Sequence, residues 1–163
     1  MSTAENTVDT LAREGESMVV DGTTLTIVRF FDAPREVLFE AWTDPDQLAQ
    51  WWGPEHLHTP RDSVAIEAVV GGFWKASMVM DDGSGEFPAV ARFTAVEPPS
   101  RLELHEPASE MFPFEITMKI TFEDVDGRTR MTIVQHFATE SFDFDDSVKG
   151  WGTSLEKLRR LAS

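Results

Sequence analysis

Four groupings of side chains in this sequence are of types that do chemistry. Glu55-His56-Leu57-His58 sets two imidazoles beside a carboxylate, the beginning of a metal site. A working site needs three or four ligands with outer hydrogen-bonding support. No other histidine-rich spacing accompanies this one, so it reads as a solvated loop and no metal is assigned. Arg101-Leu102-Glu103-Leu104-His105 and Gln135 place polar groups among apolar neighbours. Pointing inward, Glu103, His105 or Gln135 would orient a ligand or serve as acid or base. Alternating polar residues on strands mostly face water. Gln135 shares parity with Met131, Ile133 and Phe137 and is the better inward candidate. Arg92 falls out of step with Ala91 and Phe93, which puts it in water or, as the lesser alternative, in a pair with a buried carboxylate such as Glu67. Phe142-Asp143-Phe144-Asp145-Asp146 lacks the glycine and terminal glutamate of a calcium loop. Its acids read as a helix N-cap supplied by Asp145 or Asp146.

Several chemistries are excluded by what is missing. Gly83-Ser84-Gly85 lacks the continuation that a phosphate-binding loop requires. There is no serine-centred nucleophile elbow. With no cysteine the chain has no thiolate nucleophile, thiolate metal site or disulfide framework. With no tyrosine it has no phenol to move a proton. No catalytic residue and no cofactor is assigned. The formal net charge of −15 repels phosphate backbones and anionic lipid head groups, so nucleic acid is not an expected partner. No window approaches 18 consecutive apolar residues, so membrane insertion is not expected. Met1 to Gly15 has no basic stretch followed by an apolar core, so it does not read as a secretory signal, and a cytoplasmic location is expected.

What remains is apolar. The 163 residues suffice for one domain that buries about two-thirds of its surface. Leu25 to Phe31 is β-branched and aromatic and reads as a strand. Asp32 and Pro34 read as the cap and early position of a short helix carrying Val37, Leu38, Ala41 and Trp42. Asp44-Pro45 opens a second, with Leu48, Trp51 and Trp52, ended by Gly53-Pro54. A loop then runs from Glu55 to Pro60. Ser63 to Val70, Phe73 to Met80, Pro88 to Val96 and Arg101 to His105 read as strands. Phe114 to Glu123 alternates most clearly, and Asp124 to Gly127 turns it into a partner at Arg128 to Phe137. Val148, Trp151, Leu155, Leu158 and Ala162 form one apolar stripe on a C-terminal helix, with Glu156, Lys157, Arg159 and Arg160 off it. Residues 1–21 read as a flexible acidic tail and 22–163 as the domain. Helices segregated to one face of an antiparallel meander make an α+β fold.

Several short motifs occur in a telling order. They are Leu25–Phe31 with Ala33-Pro34, Val37-x-Phe39-x-Ala41-Trp42-Thr43-Asp44-Pro45, Trp51-Trp52-Gly53-Pro54 and Gly71-Gly72-Phe73. Pro98-Pro99-x-Arg101-Leu102, Thr129-x-Met131-Thr132-Ile133 and Gly150-Trp151-x-x-x-Leu155-x-x-Leu158 follow. Together they resemble the START-like (SRPBCC), helix-grip superfamily, and within it the homologues of the activator of the 90-kDa heat-shock protein ATPase. The resemblance spans about residues 22–163. It implies a curved antiparallel sheet around a long C-terminal helix, two short helices after the first strand, and an apolar cavity between sheet and helix. It carries no catalytic set.

The expected cavity lining is Trp74, Met78, Met80, Phe93, Leu104, Phe114, Met118, Ile133, Gln135, Phe137, Trp151 and Leu155. Of Trp51 and Trp52, one ring is expected in the core and the other partly exposed, since neighbours on a helix cannot both face inward. Gly150 and Gly152 each cost roughly 1 kcal/mol against alanine in a helix. They are read either as room beside the cavity mouth that eases motion of the helix or, for Gly150, as close packing on the short helices or the helix's first turn. The leading functional expectation is binding of an apolar small molecule, lipid-like or polyketide-like, with little or no catalysis. The alternatives are a chaperone or stress-response interaction module, whose acidic surface would meet a basic partner, and a pocket enzyme of cyclase or hydrolase type. Monomer and homodimer both remain open.

Overall fold

A computed structural model describes residues 11–162, so the part of the expected tail in residues 1–10 lies outside the described residues. Nine antiparallel strands form one curved, unclosed sheet in the order β1-β2-β9-β8-β7-β6-β5-β3, with β4 also paired to β5. The strands are β1 (Ser17–Asp21), β2 (Thr24–Phe31), β3 (Leu57–His58), β4 (Ala65–Ile66), β5 (Phe73–Met80), β6 (Glu86–Glu97), β7 (Arg101–Glu106), β8 (Ile116–Val125) and β9 (Arg128–Phe137). Three helices, α1 (Arg35–Thr43), α2 (Pro45–Trp51) and α3 (Asp145–Leu161), cover one face. This is the expected α+β helix-grip architecture.

The hairpin β8–β9 forms the centre. Its inward residues Ile116, Met118, Ile120 and Phe122 lie on the same face as Met131, Ile133 and Phe137, and all seven are buried. Its turn is the two-residue Asp126-Gly127, tighter than the four-residue turn expected, with both residues at positive φ (54° and 84°). Aspartate followed by glycine suits those angles, and the turn's twist matches the strands. On α3 the whole predicted stripe is buried: Val148, Trp151, Leu155, Leu158 and Ala162.

Four local readings need correction. Residues 17–21 are not a tail, because β1 pairs with β2 from Ser17↔Val28 to Asp21↔Thr24. Glu16 anchors its start, with a side chain only 1% exposed. Asp32 does not cap α1. Its carboxylate accepts from Arg128 Nε at 2.7 Å, and Pro34 takes the N-cap position without a side-chain bond. Asp44 does cap α2, accepting from Asp46 N at 3.0 Å. Neither Asp145 nor Asp146 caps α3. Phe144 holds that position, and Asp143 accepts from the Asp145 backbone N–H at 3.0 Å.

The fourth concerns Ser63–Val70, where only Ala65–Ile66 pairs as a strand, after a 3₁₀ turn at Arg61–Ser63. The chain then folds into a tight turn in which Glu67 N donates to Phe73 O at 2.8 Å. Val69 and Val70 are thrown outward, 54% and 67% exposed. Gly72 makes the turn possible, since a Cβ there would lie 2.1 Å from Glu67 O and 2.9 Å from Val69 O. Arg92 is consequently exposed and donates to Gly71 O at 2.9 Å; it does not pair with Glu67. In the loop after α2, Leu57 and His58 pair with Met80 and Val79, a short strand the sequence reading omits.

Candidate functional site: an apolar cavity with one buried carboxyl

Between the sheet and the first half of α3 lies a cavity of about 280 Å³. Its position follows from how the helices fill the sheet. The second half of α3 packs tightly, with Leu155 and Leu158 fully buried, and α2 lies against the helix, Ser154 Oγ donating to Trp51 O at 2.8 Å. Toward the α3 N-terminus Asp146, Ser147, Gly150 and Trp151 border the space. Trp74 and Met78 of β5 contribute to the wall, as do Leu104 of β7, Met118 of β8, Gln135 and Phe137 of β9, and Trp151 of α3. These are seven of the twelve residues expected there.

The other five lie elsewhere. Phe93 and Ile133 occupy the right face but one step further along their strands, where the core is closed, at 1% and 0% exposure. Leu155 lies one turn past Trp151 and is sealed. Met80 pairs with Leu57 at the far end of β5. Phe114 precedes β8 and joins a ring cluster with Phe112, Phe137 and Phe142 at centroid distances of 5.9–6.0 Å. Phe112, a cavity residue the sequence reading did not single out, belongs to that cluster.

All five tryptophans form one connected group. Trp42, Trp51, Trp52, Trp74 and Trp151 meet at centroid distances of 4.8–6.3 Å, mostly edge to face. Such geometry sets the positive ring edge against a negative face. Trp51 is fully buried and donates Nε1–H to Ala41 O at 2.9 Å. Trp52 is half-buried and on the cavity wall, so the expected division between neighbours holds. The indole N–H groups of Trp52 and Trp74 are buried without a hydrogen-bond acceptor. Trp151 Nε1 donates to Gln135 Oε1 at 3.1 Å, which fixes both side chains on the wall. Gly150 also lies on the wall, and a Cβ there would meet Pro54 at an ordinary 3.5 Å. Close packing therefore does not demand a glycine at this position, which favours the reading as room beside the mouth.

The polar groups sort themselves differently from expectation. His105 and Glu103 are both on the outer face. His105 Nε2 is 2.6 Å from Glu115 Oε1, and Glu103 pairs with Arg101. The inward carboxyl is Glu106, which continues the parity of Leu102 and Leu104. Ending the strand at His105 stops the reading one residue short of it. Burial pushes the Glu106 carboxyl up to about 7, with no cation beside it to oppose the shift. A carboxyl at that value exchanges its proton near neutrality. His56 and His58 are exposed, His58 Nδ1 lies 2.7 Å from Asp81, and no metal-ligating cluster of three occurs among the described residues.

A stability prediction follows from the direction of that shift. Below 4.5, the ordinary value, folded and unfolded chains both hold the Glu106 proton. From there to about pH 7 the unfolded chain has released it and the folded chain has not, so stability falls with rising pH and levels off above. Glu106→Gln removes this slope. Thermal unfolding of both proteins between about pH 5 and 8 should show the variant gaining on wild type as pH rises. Parallel curves would mean the carboxyl is better solvated than its position indicates.

A curved antiparallel sheet, two short helices and a long C-terminal helix over a cavity define the helix-grip class, of ligand-binding or activator-type modules. The chain belongs to the family described as Activator of Hsp90 ATPase homolog 1-like protein, whose model matches residues 32–163. It is similar in structure to a Chromobacterium violaceum protein (TM-score 0.78, 23% identity, 86% of this chain and 96% of that one). It is also similar to a Mycobacterium smegmatis protein (TM-score 0.73, 25% identity, 91% and 95%). A third relative is the AHSA1 protein of Silicibacter pomeroyi (TM-score 0.69, 28% identity, 85% and 96%). A comparison with curated proteins gave no match. Among the described residues no helix is long and apolar enough to cross a membrane.

Proposed function

We propose that the protein binds an apolar small molecule in the cavity between sheet and α3. The observation that carries this is the wall itself: a space of about 280 Å³ lined by Trp52, Trp74, Met78, Leu104, Met118, Phe137 and Trp151, with Glu106 and Gln135 as polar points. Small-molecule sites have this composition and about this size. Three of the five tryptophans border the space, so occupancy reports on itself through intrinsic fluorescence. Native-state mass spectrometry of protein from its own cells, with titration of the neutral probe N-phenyl-1-naphthylamine, tests the reading. Retention of a small hydrophobic molecule, or saturable probe binding that shifts tryptophan emission, supports it. Repeated failure of both removes it.

Trp151→Phe sharpens the test. Large-for-large apolar replacement should cost less than about 1.5 kcal/mol of stability. It also removes the donor to Gln135 Oε1 and leaves that carbonyl unpaired on the wall. Probe affinity should fall about fivefold, equivalent to roughly 1 kcal/mol of lost ring contact. Unchanged affinity in a stably folded variant would place this ring outside the site.

The family description gives a second reading, a module that stimulates the ATPase of a 90-kDa chaperone. A surface of net charge −15 favours a basic partner patch. A pull-down with the cognate chaperone followed by an ATPase assay separates the two readings, and no association across physiological salt removes this one.

A further inference from the structure

The cavity wall carries charge of one sign. Glu106 of β7 and Asp146 of α3 line it, and no lysine, arginine or histidine does among the described residues. Around Glu106 the surrounding elements offer no compensation. Its register partner on β8 is Ile116, the following loop contributes Met111 and Phe112, and α3 contributes Asp146 and Ser147. The nearest imidazole along the chain, His105, is on the outer face and engaged by Glu115. A half-buried carboxyl therefore stands in an apolar space with no charged partner among the described residues. Leaving such a group unpaired is costly.

The same wall includes Trp52, Trp74, Trp151 and Phe112. Aromatic faces attract cations, most strongly when water is excluded. A cleft lined by one sign of charge also concentrates the field of a protein whose net charge is −15. An anionic amphiphile would have to lie beside two acidic side chains with no countercharge on the wall. A neutral molecule would leave Glu106 as unsatisfied as before. An organic cation resolves both.

We propose that the cavity's ligand is an apolar amine, a protonated ammonium group on a small hydrophobic body, with Glu106 as the anchoring anion and the aromatic wall holding the rest. The proposal rests on the reading of the cavity as a small-molecule site and specifies the chemical class. Binding such a cation restores the ionised form of Glu106, so the complex forms with release of the proton that burial holds there. Affinity then rises with pH through neutrality, in the window where the empty protein retains that proton.

Three probes of one skeleton test this by calorimetry at low salt: 4-phenylbutylamine, 4-phenylbutan-1-ol and 4-phenylbutanoate. At pH 8 the amine should bind about tenfold or more tightly than the alcohol, as expected for a charge-assisted hydrogen bond. The carboxylate should bind least. At pH 6 the amine's advantage should shrink. Glu106→Gln, close to isosteric, should abolish the preference for the amine over the alcohol; circular dichroism confirms folding. If amine and alcohol bind wild type equally, or the preference survives Glu106→Gln, the amine assignment falls while the cavity reading stands. If none of the three binds while N-phenyl-1-naphthylamine does, the amine assignment falls and the cavity reading stands; if that probe and native mass spectrometry fail as well, both fall.

Discussion

Glu16→Ala is expected to destabilise the protein by about 3–5 kcal/mol, the range for removing one partner of a buried ion pair. The Glu16 side chain is 1% exposed and accepts two hydrogen bonds from Arg159, Nη1 to Oε2 and Nη2 to Oε1, both at 3.0 Å. It also accepts from Phe30 N at 2.9 Å and Arg13 N at 2.8 Å. Arg29 Nε lies 3.9 Å away. One carboxylate thus ties the start of β1 to the edge of β2 and to the last turns of α3. Burial alone would raise its pKa, but the bonds from Arg159, Phe30 and Arg13 outweigh this and hold the carboxyl below its ordinary value. The sign follows. The contribution is full above pH 4.5, the ordinary value, and is lost as pH falls through the lower folded value. Chemical denaturation near pH 7 should therefore show the full loss in Glu16→Ala, and the gap from wild type should narrow on acidification. Glu16→Gln, which keeps the volume but not the charge, should lose somewhat less. A loss under about 1 kcal/mol in both variants would mean that water compensates the arginines.

This anchor shows why part of the fold could not be read from the chain. Ser17–Asp21 buries only Val20 and has no strong alternation of its own. It becomes a strand because β2 offers an edge and Glu16 a fixed point. Both are tertiary facts. Ser63–Val70 failed in the opposite sense: Val64, Ile66, Val69 and Val70 look like a strand, but the turn at Gly71-Gly72 folds the segment back and only Ala65–Ile66 pairs. By contrast, β8, β9 and α3 were legible because one face is buried along their whole length, and period two or 3.6 follows directly from that burial. The candidate site was legible to the same depth. Parity placed Gln135, Met118 and Trp74 on the inner face, and the structure sets all three on the cavity wall. Parity cannot say where along a strand the helices leave space. Ile133 and Phe93 therefore fell in closed core, and Glu106 was missed one residue beyond a misjudged strand end.

The second large effect lies on α3, at Leu155→Ala. Leu155 is fully buried, and removing its branched end should cost about 2–5 kcal/mol depending on how far the core collapses. The useful comparison is with two lysines on the same helix. Off the apolar stripe, Lys157 reads from the sequence as an exposed position, where alanine changes stability within about 0.5 kcal/mol. In the structure it is half-buried, and Nζ donates to the carbonyls of Gly53 (2.8 Å), Pro54 (3.3 Å) and Leu57 (3.1 Å). These carbonyls belong to the segment leaving α2, and Gly53 and Pro54 lie on the cavity wall. Lys157→Ala would leave them short of donors and should cost about 1–3 kcal/mol, an intermediate loss. Lys149 is exposed and supplies the silent control at about 0.5 kcal/mol or less. Urea unfolding of the three single variants should rank them Leu155, Lys157, Lys149. The cavity should respond differently from the core. Lys157→Ala frees the Gly53-Pro54 wall and should weaken probe binding more than its stability loss suggests, whereas Leu155→Ala opens new space behind a wall that Trp151 still closes. Equal stability of the Lys157 and Lys149 variants would show that the three carbonyls are satisfied by water, and that the loop after α2 holds its place without the lysine.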